Sequence, residues 1–108
     1  MRFHHDFEWD SEKAKINAKK HNVTFVDAAA ALADDQADVY HVEGYDDEHS
    51  MGEDRFITIA SDPADRQIIL RICWTERRIE GQVVTRIISA RRATPGERKA
   101  YAKAIRER

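Results

Sequence analysis

One segment of the chain alternates apolar residues with other residues, and this pattern restricts the possible folds more than any other feature. Isoleucine, leucine and tryptophan occupy every second position in it: Ile68, Leu70, Ile72 and Trp74. Arg71, Cys73 and Thr75 stand between them. Because successive side chains of a β-strand point to opposite faces, such a run forms a strand with one face packed against a covering layer. The sequence therefore predicts a sheet that carries a layer of other elements.

Further strand patterns lie on both sides of this run. Residues 55–60 alternate weakly and lead to a predicted turn at residues 61–63, Ser-Asp-Pro, while residues 83–90 are dense in β-branched side chains. A charged hairpin over residues 76–81 is predicted to join the last two strands. Residues 3–8 form a predicted short first strand, and residues 39–42 are compatible with another.

Three segments carry signals for the start of a helix, at Asp10, Thr24 and Thr94. Asn22 tolerates the left-handed conformation that would end the first helix, and residues 34–35 are predicted to end the second. Pro95 and Glu97 follow Thr94 at the first and third helical positions, as in a capping box. The order β-α-α-β-β-β-α indicates an α+β fold, with two N-terminal helices and a C-terminal helix packed on an antiparallel sheet.

The size and composition limit what the chain can be. Its 108 residues suffice for one domain with one core. It has no apolar run of about 18 residues, so we expect no membrane span. It begins without the basic head and apolar stretch of a secretory signal. Its lone Cys73 fits a reducing compartment, and we expect a cytoplasmic protein.

The charges are divided unevenly along the chain. Residues 1–65 hold 6 Lys and Arg against 16 Asp and Glu, whereas residues 66–108 hold 12 against 4, which together give a net charge of −2. A basic half of this kind attracts phosphate, and an acidic half suits a basic partner. The alternative is an ordinary solvated surface.

The arginines of the basic half are the first candidates for function. Arg86 interrupts an apolar strand pattern, and Arg91 and Arg92 precede the start of the last helix. A guanidinium matches phosphate geometry, and a helix N-terminus favours an anion. Pairing with Glu97 or another carboxylate is the structural alternative. Strict alternation places Arg86 and Arg91 on opposite faces, so a shared site requires a bulge, a strong twist or an early strand end.

Other candidates lie outside this stretch. Lys20 and His21 end the first helix, where a histidine can act as acid or base or simply complement the helix dipole, with Asn17 as a potential hydrogen-bond partner. Glu53 and Arg55 offer a catalytic pair or a surface ion pair. The acidic residues 41–49 match no metal-site spacing, so we expect no metal and no cofactor.

Several motifs resemble those of the BrnT family. The N-terminal motifs are residues 7–10, Phe-Glu-Trp-Asp, and residues 20–25, Lys-His-Asn-Val-Thr-Phe. The C-terminal motifs are residues 55–57, Arg-Phe-Ile, and residues 86–94, Arg-Ile-Ile-Ser-Ala-Arg-Arg-Ala-Thr, followed by Glu97 and Tyr101. Two positions depart from the family pattern, since Asn22 and Ala60 stand where glycine is usual. The second of these affects the expected turn geometry at the end of the first long strand.

The resemblance implies a RelE-like fold and a ribonuclease that arrests growth by cutting RNA. It also implies a BrnA-type antitoxin with a ribbon-helix-helix domain, joined in a toxin2–antitoxin2 assembly that contacts operator DNA only through the complex and represses its own operon. Combining the residues with the resemblance, we predict six catalytic residues: Arg86, Arg91, Arg55, His21, Lys20 and Glu53. Five others are predicted to bind RNA: Arg92, Arg71, Ser89, Arg98 and Tyr101.

The expected chemistry is metal-independent transesterification, because RNA supplies its own nucleophile in the 2′-hydroxyl. The base and acid are open among Lys20, His21, Glu53 and Glu97. The alternatives are a nucleic-acid-binding module without activity, an interaction protein, and an attenuated toxin that still binds its antitoxin.

Overall fold

A computed structural model describes residues 6–34, 38–42 and 54–107. Within these ranges the chain forms three helices and one five-stranded sheet. The helices are α1 (Ser11–His21), α2 (Phe25–Ala33) and α3 (Pro95–Arg106), and the strands are β1 (Asp6–Glu8), β2 (Val39–Val42), β3 (Phe56–Asp62), β4 (Asp65–Ile79) and β5 (Gln82–Arg92). The α+β class and the element order are thus confirmed, and the short strand at residues 39–42 is present.

The strands lie in the order β1-β5-β4-β3-β2. β2 to β5 form an antiparallel meander, whereas β1 pairs parallel to β5, with Glu8 opposite Arg86. The predicted antiparallel sheet is confirmed for β2 to β5, and the parallel pairing of β1 at this edge is the exception. A parallel pair needs a long crossover, and here α1, α2 and three strands separate its two members along the chain.

Two turns lie later than the sequence suggested. β3 continues through Ser61 and Asp62, both buried, and the turn falls at residues 63–64. Ala60, predicted near the end of a strand, instead pairs with Leu70 and is fully buried in the core. The charged segment 76–81 is mostly strand, and its turn consists of Glu80 and Gly81 alone.

The main core lies between one face of the sheet and the two N-terminal helices. We call this the helix face, and Leu70, Ile72 and Ala90 are its central residues. Ala28 and Ala31 of α2 are completely buried against it, since their small side chains allow the helix to approach closely. No described helix is long and apolar enough to cross a membrane.

The three predicted helix caps are present. The Asp10 carboxylate accepts hydrogen bonds from the backbone N–H groups of Glu12 and Lys13, and these bonds lower the pKa of Asp10 below its ordinary value. Asn22 ends α1 with φ at 57°. This left-handed conformation explains how asparagine serves at a position where the resemblance implies glycine.

α3 is the least embedded helix. Thr94 and Glu97 form a complete capping box, with the Thr94 hydroxyl bound to the Glu97 N–H and the Glu97 carboxylate bound to the Thr94 N–H. Of the residues of α3, all of which are described, none is buried. The helix rests on the other face of the sheet, against β2 and β3.

The β4–β5 turn contains a conformation that its sequence does not favour. Glu80 has φ at 50° and Gly81 has φ at 82°, as in a type I′ turn, where Asn-Gly is preferred. Replacing Glu80 by Asn should therefore raise the free energy of unfolding by roughly 0.5–1 kcal/mol. Urea denaturation of the variant measures this change. Glu80→Gln is the control, since it removes the same charge but keeps the unfavourable backbone, and an equal gain in both variants would contradict the explanation.

Candidate functional site

A β-bulge in β5 brings the separated arginines onto one face of the sheet. Cys73 pairs with Ser89 but the next residue, Trp74, pairs with Ile87, so Ile88 is an extra residue in β5. An extra residue reverses the alternation on one side of it. Arg91 lies opposite Arg71, and Arg86 lies opposite Thr75.

These residues share the face opposite the helix face, which we call the open face. On β4, position 71 alternates with the core residues Leu70 and Ile72, so Arg71 and its partner Arg91 point away from α1 and α2. Beyond the bulge, Ile87 belongs to the same core, and its neighbour Arg86 therefore also lies on the open face. The alternation conflict in the sequence is resolved by the bulge, which was one of the alternatives.

Glu97 at the start of α3 joins two of these arginines. Arg91 donates to both Glu97 oxygens, at 2.8 and 3.0 Å, and Arg71 Nε lies 3.3 Å from Oε2. The side chains are only 22–31% exposed, which limits screening by water. Arg91 and Arg71 are thereby fixed side by side at the N-terminus of a helix.

The environment of Glu97 keeps it ionised. Burial raises the pKa of its carboxyl, but the hydrogen bonds from Arg91 and Thr94 and the charges of Arg91 and Arg71 outweigh this, and the pKa lies below its ordinary value. A carboxylate with a lowered pKa holds protons weakly, so Glu97 is a poor general base.

Glu8 has a similar place at the other end of the face. Its Oε2 lies 3.2 Å from Arg86 and 3.1 Å from Arg77, and the hydrogen bond from Arg86 spans 78 positions of sequence. Each of the two glutamates thus holds two arginines. Glu8 lies on β1, the parallel edge strand. Because β1 and β5 are far apart in the sequence, the spacing of residues could not predict that Glu8 pairs with Arg86 and Arg77.

Arg55 directly precedes β3. Continuing the β3–β4 register by one residue places it beside Thr75, and the carbonyl of Asp54 accepts a hydrogen bond from the Thr75 hydroxyl. Alternation then places Arg55 on the open face, in one row with Thr75 and Arg86. Glu53, predicted as its catalytic partner, lies outside the described residues.

The end of α1 forms a pocket against the bulge. Lys20 and His21 line it together with Lys13 of the same helix and Ser89 of β5, and its volume is about 230 Å³. The structure therefore brings Lys20 and His21 to Ser89, which lies between Arg86 and Arg91. Lys13 is an additional cation that the sequence analysis did not select, although it stands two turns before Lys20 on the same helix.

Asn17 holds α1 in this position. Its amide donates to the carbonyls of Ala90, at 2.8 Å, and Val23, at 3.0 Å, and accepts from the Ala90 N–H at 3.1 Å. The amide thereby replaces a neighbouring strand at this point of β5. The hydrogen bond to His21 that the sequence spacing allowed is absent from the described contacts of Asn17, which instead fastens the helix to the sheet two residues from the bulge.

Three of the predicted RNA-binding residues lie away from the group formed by Arg71, Arg91 and Glu97. Arg92 pairs with Leu70 and hence lies on the side of the helix face. Arg98 donates to the carbonyl of Gln67 and Tyr101 to that of Asp38. These two bonds fasten α3 to the sheet and are separate from the arginines around Glu97.

This arrangement defines a class of protein: a small α+β domain whose open sheet face carries paired arginines beside a basic helix end, as suits a polyanion such as nucleic acid. A family model described as "Ribonuclease toxin, BrnT, of type II toxin-antitoxin system" matches residues 9–97, and the chain belongs to this family. A search of the curated proteins gave no match. Membership identifies the chain as a ribonuclease toxin, with RNA as its target and an antitoxin as its partner.

The anchoring role of Asn17 can be measured as stability. In Asn17→Leu, the buried backbone groups of Ala90 and Val23 lose their partners, and the free energy of unfolding should fall by about 2–4 kcal/mol. Chemical denaturation gives this value. Ile16→Leu, at an exposed neighbouring position, should change it little. A loss below about 1 kcal/mol in Asn17→Leu would contradict the role.

The lowered pKa of Glu97 predicts a pH-dependent contribution to stability. Glu97→Gln keeps a capping residue but removes the charge, and should cost roughly 1 kcal/mol at neutral pH. A group whose pKa is depressed on folding stabilises the fold above its unfolded pKa and loses that contribution as the pH falls through the folded value. The difference between wild type and variant in denaturation experiments should therefore vanish in acid. A difference that stays constant with pH would rule out a charge effect.

Proposed function

We propose that the open face cleaves RNA by metal-independent transesterification. In this reaction the 2′-hydroxyl oxygen of the substrate attacks the adjacent phosphorus, the bond to the 5′-oxygen of the next nucleotide breaks, and a 2′,3′-cyclic phosphate forms. The enzyme must remove the proton from the 2′-hydroxyl, stabilise the additional negative charge and protonate the leaving oxygen. The main observation in support is that the bulge sets Arg86, Ser89 and Arg91 on one face.

The arginines are suited to the phosphate. Arg91 and Arg71 are held side by side by Glu97, and Arg86 is held by Glu8, so the guanidinium groups need little rearrangement to receive an anion. Arg55, which precedes β3, adds a further positive charge to the same face, in one row with Thr75 and Arg86. We assign these four residues to phosphate binding and to stabilisation of the transition state.

Proton transfer is assigned to the end of α1. Lys20 and His21 line the same pocket as Ser89, and histidine is the side chain best suited to exchange protons near neutral pH. We assign Glu97 instead to positioning the arginines, because Arg91, Arg71 and the Thr94 N–H already occupy its carboxylate oxygens. Glu53 keeps its predicted role as an alternative base.

The partner we propose is a BrnA-type antitoxin with a ribbon-helix-helix domain. Such domains dimerise, and the dimer would join two toxins in a toxin2–antitoxin2 assembly. DNA contact and repression of the operon would then be functions of the antitoxin within the complex. The support is membership in a type II toxin family, which requires a protein antitoxin.

The reaction is tested by incubating purified protein with defined RNA in the presence of EDTA. We expect cleavage with 2′,3′-cyclic phosphate ends, and no cleavage where the 2′-hydroxyl is replaced by hydrogen. Arg86→Ala and Arg91→Ala should each slow cleavage by about 10²–10³-fold, as expected for loss of one preorganised charge-stabilising group. Arg78→Ala is the matched control. Arg78 is an exposed arginine of β4 that pairs with Val83, and alternation along β4 places its side chain on the helix face, opposite the arginines of the site.

Three results would contradict the proposal in whole or in part. Intact RNA after incubation with folded wild-type protein would favour a binding module or an attenuated toxin. Full activity in a folded Arg86→Ala, Arg91→Ala double variant would show that the reaction does not take place on the open face. Inhibition by EDTA would overturn metal independence while leaving the site itself in place.

A further inference from the structure

We propose that a slot between α3 and the β2–β3 edge of the sheet binds a nucleobase of the RNA. This inference rests on the proposed function, because the phosphate of the same nucleotide would lie on the arginines. The slot has a volume of about 260 Å³. Its apolar and small lining residues are Tyr40, Val42, Ile57, Ile59, Gly96 and Ala100.

The floor of the slot is formed by mostly apolar side chains of β2 and β3. Tyr40 pairs with Ile59 and Val42 pairs with Ile57, so the four side chains lie two by two on neighbouring strands of the open face. Ile59 is 2% exposed, and the other three are half-buried. Tyr40 supplies the aromatic ring on which a base can stack, and such stacking needs no specific hydrogen bonds because every base has a π-face.

The helix side leaves the slot open because its residues there are small. Gly96 and Ala100 are one turn apart on α3 and border the same space. Apart from its chain neighbours and the nearby backbone of its own helix, a Cβ atom added at Gly96 would meet no heavy atom within 4 Å. The first turns of α3 therefore lie over the sheet without filling the gap.

The slot is continuous with the arginine site. Arg71 and Glu97 also line it, and both belong to the group that contains Arg91. A phosphate at Arg71 and Arg91 would place the attached nucleotide's base within reach of the slot, and the Arg71 guanidinium can stack on that base. This combination of positive charge and an adjacent apolar plane favours a nucleotide over a peptide as occupant.

Glu97 is not free to read the base. Its carboxylate already accepts two hydrogen bonds from Arg91 and one from the Thr94 N–H, and Arg71 contacts it as well. The slot therefore distinguishes bases by stacking area more than by hydrogen bonding. We expect a modest preference for purines, which offer the larger face.

The experiment compares the binding of adenosine 3′-monophosphate with that of ribose 5-phosphate by calorimetry. Wild type should bind the nucleotide about 10-fold more tightly, in line with one stacked base. Ala100→Leu places a larger side chain at the slot and should bring the ratio close to one, while binding of ribose 5-phosphate stays unchanged. Leucine is a good helix former, and thermal unfolding verifies that the variant is folded.

The matched control is Ala102→Leu, an exposed alanine of the same helix outside the slot lining. It should keep the wild-type ratio. Gly96→Leu provides a second obstruction from the neighbouring turn and should act like Ala100→Leu. Cleavage of a mixed-sequence RNA by the same proteins should show the purine preference in wild type and its loss in the obstructed variants.

The outcomes separate this inference from the proposed reaction. An unchanged nucleotide ratio in both folded obstructed variants would overturn the base slot, even if wild type cleaves RNA. A 10-fold ratio that Ala100→Leu removes, in a protein that leaves RNA intact, would support the slot and refute the reaction. If the ratio persists but Ala100→Leu escapes neutralisation by its antitoxin, the slot is a protein-binding site and the inference is wrong.

Discussion

The register shift at Ile88 is the constraint on which the rest of the open face depends. Without it, Arg86 and Arg91 would project from opposite sides of β5, one of them into the core beside Ile87 and Ala90. The neighbouring bond network between Asn17 and Ala90 occupies the outward backbone groups at the same place. One irregularity in the strand and one amide thus determine which side chains meet and how α1 is positioned on the sheet.

The electrostatics of the face follow from pairing each group of arginines with a glutamate. Half-buried like charges repel strongly where water is partly excluded, and Glu8 and Glu97 offset that repulsion for Arg86, Arg77, Arg91 and Arg71. Glu8 comes from β1 and Glu97 from α3, so elements that are far apart along the chain both contribute a carboxylate to this face. The sequence separates an acidic first part from a basic second part, but in the folded chain acidic and basic groups from the two parts lie in direct contact.

The sequence predicted those features that depend on local chemistry. The caps at Asp10, Thr24 and Thr94 need only a few neighbouring residues, and all three were correct. Positions fixed by distant contacts were harder. The parallel pairing of β1 and the extension of β3 past Ala60 are stabilised by strands far away in the chain. The same holds for the site, since alternation identified the conflict between Arg86 and Arg91 but could not choose the bulge, and the partners Glu8 and Arg77 gave no local signal.

The central place of β5 has a consequence for how the protein is made. β5 lies between β1 and β4, yet every other described strand precedes it along the chain, and β1 pairs with it alone among the described strands. A nascent chain that has been synthesised only as far as β4 lacks Arg86 and Arg91. It also lacks β5, the strand against which α1 packs. Pairing over such long separations is slow, because the loop-closure entropy must be overcome before the contacts form. The face that carries these arginines can therefore form only after β5 has been synthesised.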